Sequence, residues 1–305
     1  MSVLVVGSVA YDSIESPAGK VDRTLGGSAT YISFASRFFS NIVRLVGTVG
    51  NDFDDMDLQY FKDKGVDLEG FKKDEGGRTF FWKGRYHENM NFRDTLDTQL
   101  NVFEHFDPVI PDVYKGSRIV CLGNIAPELQ LKVLDQVTQP QLTICDTMNF
   151  WITGAREALE ETISRVDVLI INDEEARELS GETNLVTCAK KIRAKGPKYL
   201  IIKKGEHGAN LYSDYDMFSA PAYPLSKIVD PTGAGDTFMG GFAGWLSWSD
   251  KINRENLRRA VIYGSVMASF CVEQFGAESF RKLNRYDVDA RYEEFRKLSV
   301  IPTKS

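Results

Sequence analysis

Ile119-Val120-Cys121-Leu122, Pro127 to Val137, Leu142-Thr143-Ile144-Cys145, Glu157 to Ser164, Val168 to Ile171 and Asp173 to Leu179 follow one another as short apolar runs alternating with segments of helical spacing. Four-residue apolar runs suit strands buried on both faces, and the segments between them suit crossover helices. Such alternation predicts an α/β fold, a doubly wound and mainly parallel sheet. Its ligand crevice should lie beyond the carboxyl ends of the strands. Outward from this stretch, Val3 to Val6, Ile42 to Val49 and Tyr199-Leu200-Ile201-Ile202 read as further strands. Between Val66 and about Asp97 the pattern changes to polar and aromatic alternation, as in Thr79-Phe80-Phe81-Trp82-Lys83-Gly84-Arg85-Tyr86. That period predicts antiparallel strands with one face incompletely buried.

The 305 residues are enough for a sizeable core, and no internal repeat or long linker divides them. A net charge of −6 offers no basic face for nucleic acid or an acidic membrane. Cys121, Cys145, Cys188 and Cys271 show no paired metal spacing and read as buried reduced thiols. The first residues, Met1 to Gly7, lack a basic region, and no apolar run approaches a membrane span. The expected location is the cytoplasm.

Asp230-Pro231-Thr232-Gly233-Ala234-Gly235-Asp236-Thr237-Phe238 carries the chemistry. Small residues let a ligand approach the amides of Gly233, Ala234 and Gly235, and Phe238 to Leu246 continues with helical apolar spacing. Amides at a helix start, with the positive end of the dipole, suit an anion such as phosphate. A carboxylate there, Asp236, is placed either to cap the helix or to accept a proton. Glycine beside it favours the second, because a simple cap has no need of glycine's backbone freedom.

This nine-residue stretch resembles the C-terminal signature of the ribokinase-like, or PfkB, carbohydrate kinases. The resemblance implies an ATP- and Mg2+-dependent transfer to a hydroxyl of a sugar or sugar-like molecule. Asp236 would be the general base, and Gly233, Ala234 and Gly235 the anion hole. It implies one kinase domain over residues 1–305, with residues about 66–97 forming most of a small antiparallel β lid that commonly also makes a homodimer contact. Gly26 and Gly27, before the helical segment at Ile32, are similar to the family's sugar signature, and Asp12 to its hydroxyl-binding aspartate. Tyr31 stands where members often carry Asn, and Ala10 where ribokinases proper carry another, so ribose itself is disfavoured as substrate. Arg85 in the lid and Asp146 at a strand end are further candidates for substrate contact.

On the nucleotide side, Asn172 and Glu175 match an Asn-x-x-Glu element that arranges magnesium, with Glu175 acting directly or through water. Gly205 belongs to the turn bordering the nucleotide, and Thr232 to the signature. Lys203 replaces the usual Thr and is compatible with a phosphate contact or with facing water. Ala268, Cys271 and Gly276 fall where members line the adenine pocket and, in some, a site for a monovalent cation such as K+.

A nucleoside kinase of the same fold is the rival substrate class, since Tyr31 and the aromatic lid offer surfaces for a base. A non-catalytic metabolite sensor is the rival from outside enzymology, and an intact Asp236 argues against it. No Gly-x-x-x-x-Gly-Lys-Ser/Thr segment is present, and Gly233-x-Gly235 lacks the third glycine of a dinucleotide fingerprint. His87, His105 and His207 form no zinc pattern.

Overall fold

The computed structural model describes residues 1–298 and residue 300. Its strands are β1 (Ser2–Val6), β2 (Ala10–Ser16), β3 (Gly19–Gly26), β4 (Ile42–Gly50), β5 (Val66–Asp74), β6 (Phe80–Tyr86), β7 (Arg93–Gln99), β8 (Ile119–Leu122), β9 (Leu142–Cys145), β10 (Val168–Asn172), β11 (Tyr199–Lys203), β12 (Ala209–Tyr212) and β13 (Met217–Ala220). Among the described residues the main sheet has nine strands in the order β13-β12-β11-β10-β9-β8-β1-β4-β5. Every pairing from β11 across to β5 is parallel. The hairpin β12–β13 closes one edge in antiparallel register.

Strand β1 shows why the sheet is wound on both faces. Val3 and Val5 join a core with Phe34, Phe61, Met239 and Phe242, whereas Leu4 and Val6 join a second core with Val133, Ile163, Ala176 and Ile192. Two apolar faces on one strand require helices on both sides. The helix after β1, Ser28–Arg37, covers the first face, and the helix after β8, Pro127–Leu134, covers the second. The winding reverses between these neighbouring strands, and a crevice opens beyond their carboxyl ends.

A second sheet, β3-β2-β6-β7, stands beside this edge. Its outer pairings are antiparallel and its central β2–β6 contact is parallel. Two of its four strands come from residues 10–26, not from the stretch 66–97 expected to supply most of the lid. Val66–Asp74 lies instead at the edge of the main sheet, parallel to β4, with helix Asp55–Asp63 as its crossover. Edge strands and lid strands both expose one flank, so their sequence patterns look alike.

Helix Ala234–Trp248 is the element that carries the signature. A Cβ on Gly240 would lie 2.5 Å from the Ile32 carbonyl oxygen, one on Gly244 2.8 Å from Ser36 Cα, and one on Gly241 2.8 Å from the Tyr263 carbonyl oxygen. The helix is thus pressed between Ser28–Arg37 and Arg254–Cys271, backbone against backbone. No single helix among the described residues is long and apolar enough to cross a membrane.

Gly240→Ala should destabilise the protein by about 1–3 kcal/mol in urea unfolding, because the methyl group meets backbone that cannot step aside. Helix propensity alone predicts the opposite sign, a gain of about 1 kcal/mol. Gly116→Ala, with nothing within 4 Å, is the control and should change stability by under about 0.5 kcal/mol.

Candidate active site

Asp12 lies within β2 and is only 4 % exposed. Its carboxylate faces β3 so closely that a Cβ on Gly26 would fall 1.9 Å from Oδ2. Gly27, at φ 91, starts helix Ser28–Arg37, and a Cβ there would collide with the Ser8 carbonyl oxygen at 2.5 Å. The glycine pair therefore folds the chain tightly around the aspartate.

Asp230 is fully buried and accepts from the Thr232 amide at 2.8 Å and the Gly276 amide at 2.9 Å. It ties the signature loop to the turn after helix Arg254–Cys271. Gly276 thus spends its amide on Asp230, and Cys271, buried below the loop, directs its thiol at the Thr232 carbonyl oxygen at 3.5 Å. Ala268, one turn before Cys271 in the same helix, is partly buried against the core. Gly233 takes φ 74 and caps helix Ala234–Trp248 without a side-chain bond. The Ala234 amide closes onto the Pro231 carbonyl oxygen at 3.1 Å, so it is not part of an open anion hole. No backbone carbonyl among the described residues accepts from Gly233 or Gly235, which leaves those two amides for an incoming anion, whereas the Asp236 amide is drawn to its own carboxylate.

The opposite wall comes from the main sheet. Asp146 follows β9, and Lys203 ends β11 with its ammonium 3.9 Å from Asp146 Oδ2. Asn172 and Glu175 form a capping box at helix Asp173–Ser180: the Glu175 amide donates to Asn172 Oδ1 and the Asn172 amide donates to Glu175 Oε2, each at 2.8 Å. A Cβ on Gly235 would lie 2.6 Å from Lys203 Nζ, so the two walls meet there.

Electrostatics draw these groups into one hollow. Burial, then Asp230 and Asp236, push the Asp12 carboxyl well above its usual range. Burial and Asp146 push Asp236 up to about 7 against the pull of Lys203 and Arg93, and similar causes bring Glu175 to about 7. Burial also raises Asp146, again opposed by Lys203. Lys203 is lowered by burial, but Asp146, Glu175 and Asp236 outweigh this and hold it above the usual lysine value. Asp236 Oδ1 is buried with no hydrogen-bond partner. An unpartnered carboxylate oxygen among open amides is equipped to take a proton from a bound hydroxyl.

The lid reaches this hollow at three points. Tyr86 shares a 3.0 Å hydrogen bond with Thr232, Asn91 Oδ1 lies 2.7 Å from where a Gly205 Cβ would be, and the charge of Arg93 bears on Asp236 and Glu175. Arg85 does not reach it: its guanidinium pairs with Glu15 at 3.1 Å on the exposed flank. Tyr86, adjacent on the strand, faces the other way, as the two-residue period demands. That parity was the available signal for Tyr86 over Arg85. Tyr31 is 1 % exposed, its ring 2.4 Å from a Cβ placed on Gly233, so it buttresses the loop and offers no open face to a base.

A hollow that joins open helix-start amides, a free carboxylate oxygen and a buried polar floor at the switch point of an α/β sheet defines a small-molecule phosphotransferase site. Residues 2–282 match the model of the pfkB family carbohydrate kinases, and the chain belongs to that family. It is 29 % identical over 247 residues to a cytidine kinase of Thermococcus kodakarensis, covering 79 % of this chain and 87 % of that protein. The nucleoside kinase of Methanocaldococcus jannaschii superposes with a TM-score of 0.77 at 21 % identity, covering 96 % of this chain and 98 % of that one. The aminoimidazole riboside kinase of Salmonella enterica, solved with its riboside and an ATP analog, superposes at 0.74 with 19 % identity, covering 96 % and 100 %. These superpositions establish likeness of fold.

The raised carboxyls make a testable stability statement. Between the unfolded pKa of 3.8 and the folded value near 7, the native state holds more protons on Asp236 than the unfolded chain does. That contribution to stability is present at low pH and is lost as pH rises through about 7. Asp236→Asn should therefore raise Tm at pH 8 by about 2 °C or more, and by clearly less at pH 5.5, as read by differential scanning fluorimetry.

Proposed function

We propose that this kinase transfers the γ-phosphoryl group of ATP to a hydroxyl of a small sugar or sugar-like polyol, with Asp236 as general base. The observation that carries this is the free, buried Oδ1 of Asp236 in the same hollow as Asp12. Asp12 and the backbone around Gly26 and Gly27 hold the acceptor's hydroxyl groups. Asp236 takes the proton as the acceptor oxygen bonds to the γ-phosphorus, and the bond from that phosphorus to the β–γ bridging oxygen breaks to release ADP. The amides of Gly233 and Gly235 face the charge on the transferred group, which is the main demand of phosphoryl transfer.

Magnesium, when bound, neutralises the phosphate oxygens. Magnesium keeps several waters and binds phosphate oxygens, so few direct protein ligands are needed here. Glu175 commits Oε2 to its own helix and leaves Oε1 to receive such a water. Thr232 and the Gly205 turn border the nucleotide.

A compact polyol suits the lid better than a planar base does. Phe80 stacks on Phe103, Trp82 is bonded to Thr95 through its indole N–H at 3.3 Å, and Tyr31 is buried, so these rings are already engaged. The nucleoside reading is favoured by the 29 % identical cytidine kinase. A panel of pentoses, hexoses, cyclitols and nucleosides, assayed for ADP release, separates them: turnover of nucleosides alone would replace the sugar reading.

With the preferred acceptor, Asp236→Asn should lower kcat by about 10²–10⁴-fold while nucleotide affinity stays within about threefold. Wild-type kcat/KM should climb as pH passes through about 7, because the base must be ionised. Near wild-type turnover in the variant would remove Asp236 from the role.

A further inference from the structure

Among the described residues, Lys203 is the ammonium held against the signature turn. It ends β11, keeps 18 % side-chain exposure to the crevice, and lies where a Gly235 Cβ would stand 2.6 Å from Nζ. Its nearest carboxylate, Asp146, is 3.9 Å away, beyond the roughly 2.7–2.9 Å of a charge-assisted hydrogen bond. An ammonium has three donors and no acceptor capacity. Among the described residues nothing is shown accepting a hydrogen bond from this one. Lys64, by contrast, donates to the Phe280 carbonyl oxygen at 2.5 Å, and Lys195 donates to Glu160 at 2.8 Å.

We propose that Lys203 is a phosphoryl-binding residue: its ammonium, together with the open amides of Gly233 and Gly235, takes the non-bridging oxygens of the γ-phosphoryl group of ATP. This rests on the kinase reading above. The charges around the site support it. Asp146 after β9, Glu175 on helix Asp173–Ser180 and Asp236 on helix Ala234–Trp248 all bear on Lys203, with Arg93 acting on Glu175 and Asp236 from the lid. A triphosphate end entering this hollow meets three acidic side chains, and Lys203 is the cation set among them. Held by their common field and bonded tightly to none, the ammonium is free to turn its donors to the phosphate. It moves no proton; its contribution is charge and position. Glycine at 235 lets it sit this close to the turn, since a Cβ there would crowd Nζ at 2.6 Å and push the ammonium aside.

Because ADP lacks the group that Lys203 would hold, the assignment is read by comparing nucleotides in calorimetry with magnesium present. The wild-type protein should bind a non-hydrolysable ATP analogue more tightly than ADP. Lys203→Met should weaken the analogue on the order of tenfold or more and leave ADP within about twofold. Lys203→Arg should keep the preference. Gly235→Ala, which displaces the ammonium without removing it, should lose it as Lys203→Met does. If Lys203→Met does not fold, the double variant with Asp146→Asn, which has the wild-type net charge, takes its place in the same comparison. Equal weakening of both nucleotides, or of neither, overturns the assignment alone. A wild-type protein that binds neither nucleotide overturns the kinase reading and the assignment with it.

Discussion

The approach of helix Ala234–Trp248 to its two neighbours, closer than any side chain permits, is the constraint on which the site depends. Gly240 and Gly244 admit the backbone of Ser28–Arg37, and Gly241 admits that of Arg254–Cys271. Interiors this dense transmit small displacements, so the axis of the helix is set within a narrow range. Its first turn is set with it, and so are the direction of the Gly233 and Gly235 amides and the reach of Asp236. Tyr31, from the neighbouring helix, wedges beneath Gly233 and completes the support.

On that frame the fold gathers carboxylates that would repel one another in any arrangement. Asp12, Asp146, Glu175 and Asp230 are each less than a tenth exposed, and Asp236 adds an oxygen with no partner. Asp230 is stabilised by two backbone amides, and Glu175 by its capping box. Asp146 accepts from the Thr147 amide at 2.9 Å and, like Asp236, feels the charge of Lys203, whereas burial and its acidic neighbours push the Asp12 carboxyl well above its usual range. Stability is given up locally to hold these charges together, as is common at functional sites.

Much of this was legible one residue at a time. Short apolar runs between helical segments predicted the wound sheet, and the signature placed a carboxylate after a glycine turn at a helix start. Asn172 and Glu175, matched in the sequence to an Asn-x-x-Glu element, form a capping box in the structure, with Glu175 under the charges of Asp146 and Lys203. The lid was harder. Strands β2 and β3 carry Asp12, Asp22 and Thr24 among few apolar residues, and the pairing of β2 with β6 joins residues as far apart as Ala10 and Phe80. Arg85 and Arg93 are equivalent as residue types, and strand parity, interrupted by an irregularity between Lys83 and Gly84, decides which one turns inward.

By itself the sequence determined the periodic elements and the glycine turn with its carboxylate at a helix start, because those depend on neighbours a few positions apart. Which groups share the hollow was decided only by the tertiary structure. The meeting of Asp12 with Asp236, the loose hold on Lys203 and the burial of Tyr31 all follow from contacts between distant segments. Burial and the fields of those neighbours change a side chain's pKa and its free hydrogen-bonding capacity, and neither quantity is a property of local sequence.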